Sequence, residues 1–388
     1  MTTPAPDADV VVVGLGAMGS HALWRLATRG ARVVGVEQFA PGHDRGASHG
    51  ESRIIRTAYA EGAAYVPLVL AAWGLWDELQ HAAEEELVER TGGLMLGAPR
   101  SPVVSGAAAS AAAHGLKHEI LSAAQLRRRF PQHLVDDDDI GFYEEDAGIV
   151  RPERAVVAAV RAARAAGARL VAGESVQEIV PDPERPVVRL AGRDLAAGHV
   201  VVAAGAWLPR LLPGLDLPLQ IVRRVQTWFP ATSPEAFSTA RFPVFIRNDP
   251  GGGHSWFGCP TLDGATVKVA AHDWPGIDEP VDPAVGPRPP DGADAELAGS
   301  IVEATLPGLR PRPVRLTPCT YALTPDRHFV VGQRRDLPGL TVLAGFSGHG
   351  FKFAPVLGEI AAQLALTGRT DLPVQLFDPH RFDPVRQR

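Results

Sequence analysis

The sequence predicts an α/β protein in which a sheet-and-helix domain is interrupted by an antiparallel-sheet domain, and three observations carry that prediction. An apolar, β-branched run from Asp9 to Val13 feeds the turn GLGAMG and an amphipathic stretch, Ser20 to Thr28, with a second strand, ARVVGVEQ, behind it. From Pro218 to Arg315 the character changes to aromatic-bearing strands (VQTWFP, HSWFG, ATVKVAAHDW) and Pro-rich loops around Pro280 to Pro290. The α/β pattern then returns as HFVVG, a polar turn, LTVLAG and a helix from about Phe353 to Leu366.

At the N-terminal end, Gly14, Gly16 and Gly19 spell GxGxxG between a strand and a helix, and Glu37 ends the next strand. Glycines there permit a tight turn and close approach of backbone amides to a pyrophosphate at the helix N-terminus, while the acid suits a ribose hydroxyl. The unit is therefore a dinucleotide-binding, Rossmann-like opening, and the pattern does not distinguish FAD from NAD. Val66 to Glu86 reads as a long helix. The acidic run Asp136 to Asp139 reads as a solvated turn, since four adjacent aspartates cannot converge on one ion. Arg151 to Ala166 is helical in pattern, and RLVAGESVQEIV, VVRLAG and HVVVAAGAW are strands returning to the first sheet. The expected cofactor domain thus comprises residues 1–85, 148–217 and 318–388, and the substrate domain 86–147 and 218–317.

A chain of 388 residues exceeds the roughly 250–300 at which one core usually splits, which supports two domains. Hydrophobic residues at 45% and charged residues at 21% exclude a disordered or fibrous class. A net charge of −6 offers no broad basic field for nucleic acid. The polar leader MTTPAPDADV lacks the form of a secretory signal, and no run reaches the roughly 18–20 apolar residues of a membrane span, so a cytoplasmic protein without a membrane partner is expected. The two cysteines, Cys259 and Cys319, form neither a disulfide framework nor a four-ligand zinc pattern, and no metal is expected.

Several polar residues can carry chemistry or have ordinary structural roles. Arg53 and Arg56, in SHGESRIIR with His49, would share a face on a helical turn and could meet one anion; pairing with Glu51 and Glu61 is the alternative. Lys268 and His272 are four apart on a strand and so share a face. Cys319, in LTPCTYALTPDRHF, is either an inert buried thiol or a nucleophile, and Cys259 is read as packing. In GFSGHGFK, Gly345 to Lys352, the glycines admit a ligand to backbone amides, the following helix N-terminus is positive, and Pro355 fits its first turn.

Together these segments resemble the monomeric sarcosine oxidase and N-methyltryptophan oxidase family, within the glycine and D-amino-acid oxidase superfamily. The likeness covers about residues 8 to 380 and rests on GLGAMG, HGESRIIRTAYAEGAAYVPL, CTYALTPDRHF and AGFSGHGFKF in that order. It implies a fold of the D-amino-acid oxidase type, with an FAD-binding Rossmann-like domain, an inserted antiparallel-sheet substrate domain, and FAD attached covalently through Cys319. It implies that Arg56 and Lys352 bind a substrate carboxylate, that Lys268 promotes reaction with dioxygen, and that His49, His272 and Arg53 lie at the flavin. Cofactor contacts are implied at Gly14, Gly16, Ala17, Met18, Gly19, Glu37, Gln38, Ser48, Val176, Ala204, Gly205 and Trp207. The later segments add Gly345, Gly348, His349, Gly350, Phe351 and Lys352.

The implied activity is oxidation of the C–N bond of a small N-methyl amino acid such as sarcosine by a monomer. Hydride passes to flavin N5, dioxygen is reduced to hydrogen peroxide, and the imine hydrolyses. Where sarcosine oxidases carry a tyrosine pair before GFP, this chain has Trp256 and Phe257 before Gly258, Cys259 and Pro260, which places Trp256 beside the substrate. That departure opens the alternative of a cyclic or bulkier amine, such as pipecolate, proline, N-methyltryptophan or a biosynthetic intermediate. A NAD-dependent dehydrogenase would share the opening unit but have no use for Cys319 or GFSGHGFK.

Overall fold

The computed structural model describes residues 6–383, so residues 1–5 and 384–388, the two ends of the expected cofactor domain, lie outside the described residues. The chain opens with β1 (Ala8–Val13), α1 (Ala17–Thr28), β2 (Val33–Glu37), β3 (Arg53–Arg56) and α2 (Val66–Ala83). It continues through β4 (Val88–Arg90), β5 (Gly93–Gly97), α3 (Pro102–His114), β6 (Glu119–Ser122), α4 (Ala123–Arg129), β7 (Ile140–Glu144) and β8 (Ala147–Val150). Then come α5 (Pro152–Ala165), β9 (Arg169–Ala172), β10 (Glu178–Val180), β11 (Val187–Leu190), β12 (Arg193–Val202) and α6 (Leu208–Leu211). The inserted region holds β13 (Gln220–Pro230), β14 (Val244–Asn248), β15 (Ser255–Cys259), β16 (Thr266–Asp273), β17 (Glu279–Pro280) and α7 (Gly292–Thr305). The chain closes with β18 (Arg315–Leu323), β19 (Val330–Arg334), β20 (Leu337–Ala344) and α8 (Ala354–Thr367).

The first sheet has eight strands, with β20, β12, β1, β2 and β9 parallel in that order. Its apolar strands are covered by helices; α1, α5 and α8 pack together on one face around Leu23, Trp24, Ala159 and Leu357. Helix α1 begins at Ala17, three residues before the sequence pattern suggested, because Ala17, Met18 and Gly19 are all buried and their lack of contrast hides the turn. Among the described residues, no helix is long and apolar enough to cross a membrane.

The second sheet has nine strands and is antiparallel apart from the β5–β14 pair. Paired residues on neighbouring strands point the same way, so register fixes what each face carries. The pairs Cys319 with Arg224, Trp228 with Lys268, Ala270 with Phe257 and Phe257 with Ile246 put one row of side chains toward the cofactor sheet. The opposite face carries Phe245, Trp256, Val267 and Val269, which pack under α7 against Ala298, Ile301 and Val302.

Three expectations change. The segment RIIR is strand β3 rather than a helical turn, so its odd spacing sends Arg53 and Arg56 to opposite sides. Cys319 lies within β18, which pairs with β13 along its length; the expected boundary at 317/318 therefore cuts a strand of the second sheet. In the acidic run, Asp136, Asp137 and Asp138 are exposed, but Asp139 is buried and accepts from Arg247 Nη2 at 3.1 Å.

Candidate active site

Two adjoining cavities lie where the two sheets meet. The outer one, of about 720 Å3, starts at the glycine turn between β1 and α1 and runs past Glu37 and Ser48 to the loop before α8. At its start, Gly16 sits at the N-cap of α1 and supplies no side-chain cap; Ala17 N–H donates to Ser48 Oγ at 3.0 Å, whereas the amides of Met18 and Gly19 have no side-chain partner among the described residues. Such amides are free to hold a pyrophosphate. A Cβ on Gly19 would lie 1.8 Å from the Gly14 carbonyl oxygen, so that glycine serves close helix–strand packing and not the cavity. Glu37 accepts backbone N–H from Leu15 at 2.7 Å and Phe39 at 3.0 Å. Burial pushes the Glu37 carboxyl up, but His43 and those amides outweigh it and hold it below its ordinary value. The shape and donors of this cavity fit a dinucleotide.

The inner cavity, of about 350 Å3, shares Arg53, Tyr321, Ser347, Gly348 and Phe351 with the outer one, so the two are continuous. Its cationic end is formed by Arg56 from β3 and Lys352 from the turn before α8, which are 2% and 5% exposed. Arg56 donates to the Ala58 carbonyl at 2.8 Å and to Glu61 Oε2 at 2.5 Å, with its guanidinium 4.3 Å from the Tyr59 ring centre. Burial works against that charge, yet Glu61 and Tyr59 hold Arg56 above its ordinary value. Arg56, His349 and Lys352 in turn keep Glu61 far below the carboxylate range, against the effect of burial. Lys352 Nζ donates to the His349 carbonyl at 2.9 Å and to the Tyr59 hydroxyl at 3.3 Å. Burial, helped by Arg56, pushes Lys352 down to about 7.

Histidine protonation at this end follows from the network. Burial lowers His349 to about 4, so its ring is neutral near pH 7. Its Nε2 lies 2.9 Å from the Arg327 carbonyl and must carry the proton; Nδ1 then accepts from the Tyr59 hydroxyl at 2.7 Å. His272 lines the cavity and is also pushed down by burial.

A second cationic cluster surrounds Cys319. Arg53 donates to the Ala47 carbonyl at 2.8 Å and to Gln226 Oε1 at 3.1 Å, and its Nη2 lies 4.0 Å from Cys319 Sγ. Burial raises the Cys319 thiol, while Arg53 and Lys268 pull it back. Lys268 is 2% exposed and donates to the carbonyls of Gly50 and Ser52, each at 2.9 Å. Burial, then Arg53, lowers it to about 7.

Of the cofactor residues expected from the sequence, all line one or other cavity except Gly19 and His49. His49 is buried, and burial followed by Arg53 lowers it to about 4. Arg53, Arg56, His272 and Lys352 line the inner cavity; Lys268 sits behind its wall. Trp256 does not reach it. Strand alternation turns its indole under α7, 4% exposed, and brings Ser255 and Phe257 to the cavity instead.

Glu51 pairs with Arg315, whereas Glu61 does pair with Arg56, so the ordinary reading and the chemical one both hold for Arg56. Residues the sequence did not single out include Tyr59, Gln226, Tyr321 and Glu144. Glu144 accepts the amides of Thr57 and Ala58, and burial raises it to about 7. Tyr59 and Glu61 were legible only as close followers of Arg56, and Tyr321 only as a neighbour of Cys319 in CTYALTPDRHF; nothing local marks Gln226 or Glu144.

The model of the family described as FAD dependent oxidoreductase matches residues 9–364. A monomeric sarcosine oxidase from Streptomyces avermitilis is 40% identical, over 97% of this chain and 98% of its own length. An N-methyl-L-tryptophan oxidase from Salmonella dublin is 34% identical over 96% and 99%. The open form of NikD, an unusual amino acid oxidase essential for nikkomycin biosynthesis, superposes with a TM-score of 0.83 at 29% identity, covering 96% of this chain and 97% of that one. With a dinucleotide cavity that opens onto a buried arginine–lysine pair, this chain belongs to the FAD-dependent oxidoreductases, in the monomeric sarcosine oxidase and N-methyltryptophan oxidase family.

Proposed function

We propose that the protein oxidises the C–N bond of a secondary amino acid, an N-methyl amino acid such as sarcosine, with dioxygen as the acceptor. The observation that carries this reading is the Arg56–Lys352 pair at the end of a cavity continuous with the dinucleotide cavity. A buried guanidinium and ammonium are stabilised by an entering carboxylate, which makes two charge-assisted contacts and fixes one end of the substrate. Fixing that end aligns the amine-bearing carbon for reaction, and such orientation contributes several kcal/mol to lowering a barrier. Glu61 must share or release Arg56 as the carboxylate arrives. His272 and His349 stay neutral near pH 7, so neither repels an approaching cation nor supplies a proton to a neutral amine.

FAD, when bound, accepts the two electrons of a C–H bond beside nitrogen and passes them to dioxygen, which becomes hydrogen peroxide. Water completes the change by hydrolysing the imine; from an N-methyl group this gives formaldehyde and the primary amino acid. Lys268, a buried cation behind the cavity wall, favours the negative charge that develops as dioxygen is reduced. Cys319 is the residue we assign to a covalent link, because its thiol borders the inner cavity and Arg53 and Lys268 offset part of the rise that burial imposes on it. A second reading, a cyclic or bulkier amine, is favoured by the apolar wall of Pro102, Val103, Ile246 and Phe257. Monomeric action is supported by the name of the Streptomyces relative.

The visible spectrum of the purified protein tests both claims. Yellow colour that stays with acid-precipitated protein and bleaches on anaerobic addition of sarcosine is the expected result. Colour without bleaching by sarcosine moves the substrate to larger amines, and a colourless native protein refutes the proposal.

A further inference from the structure

The second sheet is not closed between the two faces described above. Strand β13 pairs with β17 only at Val222 and Arg223, and with β16 only from Thr227 to Pro230. Beyond Val269, β16 turns to β15 alone. Arg224, Val225 and Gln226 therefore have no ladder partner on that side, and the two strands splay around them.

A third cavity, of about 260 Å3, lies under α7 on the far face of the sheet. It shares Arg224, Val225 and Ala271 with the inner cavity, and these three residues border the splay. Its outer end is rimmed by the exposed Pro275, Gly276 and Ala293, and its inner end by buried Thr227 and Ala298. Arg224 is held at the junction by Asp278 and by the Ile277 carbonyl at 3.1 Å, and its buried Nε has no partner among the described residues.

We infer that this third cavity is a passage through the sheet by which dioxygen reaches the reacting cavity, separate from the mouth used by the amino acid. The inference rests on the oxidase reading above. Its lining combines an apolar side, Val225, Ala271, Trp274, Ile277, Leu297 and Ala298, with charged side chains held in ion pairs, Arg223 with Asp294 and Arg288 with Glu279, and the apolar side suits a small, weakly hydrated molecule. Because those charges are already paired, a zwitterionic amino acid would find little compensation there for the hydration it sheds. The passage meets β16 at Ala271, three residues from Lys268, the cation assigned to the oxygen step.

The test separates the two half-reactions. Leu297 lines only the third cavity, so Leu297→Trp fills it without touching the reacting cavity. Flavin reduced anaerobically, by amine or by dithionite, is mixed with oxygenated buffer and its reoxidation followed. We expect the bimolecular rate with dioxygen to fall about tenfold, corresponding to about 1.4 kcal/mol of added barrier, while the anaerobic rate with amine is unchanged. Crystals under xenon pressure should show xenon beside Leu297 in the native protein. Native reoxidation in Leu297→Trp, or an empty third cavity under xenon, overturns the passage. Because dithionite reduction needs no amine, failure of the passage and failure of the amine-oxidase reading give different results.

Discussion

The outer and inner cavities are made of different materials. The outer one is lined largely by backbone and small residues from contiguous turns, Gly14 to Met18, Ala204 to Gly205 and Gly345 to Gly350. The inner one is walled mainly by side chains from β3, β13, β14, β15, β16 and β18, joined by Pro102 and Val103 of α3 and Lys352 of the turn before α8, all far apart in sequence and brought together by the fold. A site written in local backbone tolerates almost no added atom, whereas a site written in side chains can be retuned one residue at a time.

The severest way to break this comparison is Gly19→Ala. The new Cβ would meet the Gly14 carbonyl oxygen at 1.8 Å and lie 3.3 Å from the Ala203 Cβ, with no flexible side chain to yield. We expect a loss of about 3 kcal/mol or more, seen as a lower Tm and little bound flavin. Ordinary flavin content and Tm would show that the turn relaxes more easily than a packed backbone should.

In the inner cavity, Arg56→Met keeps the apolar stem but removes the guanidinium. It also leaves Glu61 without its partner. Truncating one member of a buried charged contact costs about 2–5 kcal/mol, so kcat/KM should fall roughly 30- to 5000-fold. Flavin content should be unchanged, since Arg56 lines only the inner cavity. A fall of less than threefold would remove Arg56 from substrate binding.

The same division explains what could be read from the sequence. GLGAMG, Glu37 and GFSGHGFK each lie within one turn or strand, so local pattern located the turns at either end of the outer cavity, while Ser48, Val176, Ala204, Gly205 and Trp207 were implied by the resemblance and walls such as Phe39, His43, Glu174 and Arg210 were not foreseen. Lys268 and His272 were paired correctly because both lie on one strand. The helical reading of RIIR failed because four residues carry too little periodicity to separate a turn from a strand. Trp256 failed for a longer-range reason: which face of β15 meets the cavity depends on its pairing with β14 and β16 and on the register shift at Ser255 and Trp256. Gln226, Tyr321 and Glu144 come from three strands with no shared motif, and only the folded sheet brings them near Arg53 and Arg56.

A gentler probe is pH. Lys352, lowered to about 7 by burial, is charged below that pH and neutral above it. A carboxylate inhibitor needs the charged form, so its Kd should be flat at low pH and rise toward tenfold per unit above about 7 as binding comes to require proton uptake. Arg56 stays charged throughout and sets a floor. Lys352→Met should weaken binding below pH 7 and flatten the profile. A profile that keeps its slope in that variant would assign the titration to another group, with Lys268 the next to test.

The smallest effect is the sharpest test of register. Phe257 lines the inner cavity and Trp256 packs under α7, although they are adjacent. Phe257→Ala should move KM and the preference between sarcosine and a larger N-methyl amino acid by about 1–3 kcal/mol, because a pocket wall is lost. Trp256→Phe should leave KM within about twofold, since its indole faces Trp274 and Arg247 and its Nε1 has no partner among the described residues to lose. Its cost should fall on Tm instead, as the smaller ring leaves space in the layer between β15 and α7. If Trp256→Phe shifts KM as far as Phe257→Ala does, the indole reaches the substrate, and the pairing of β15 with its neighbours must differ from that described.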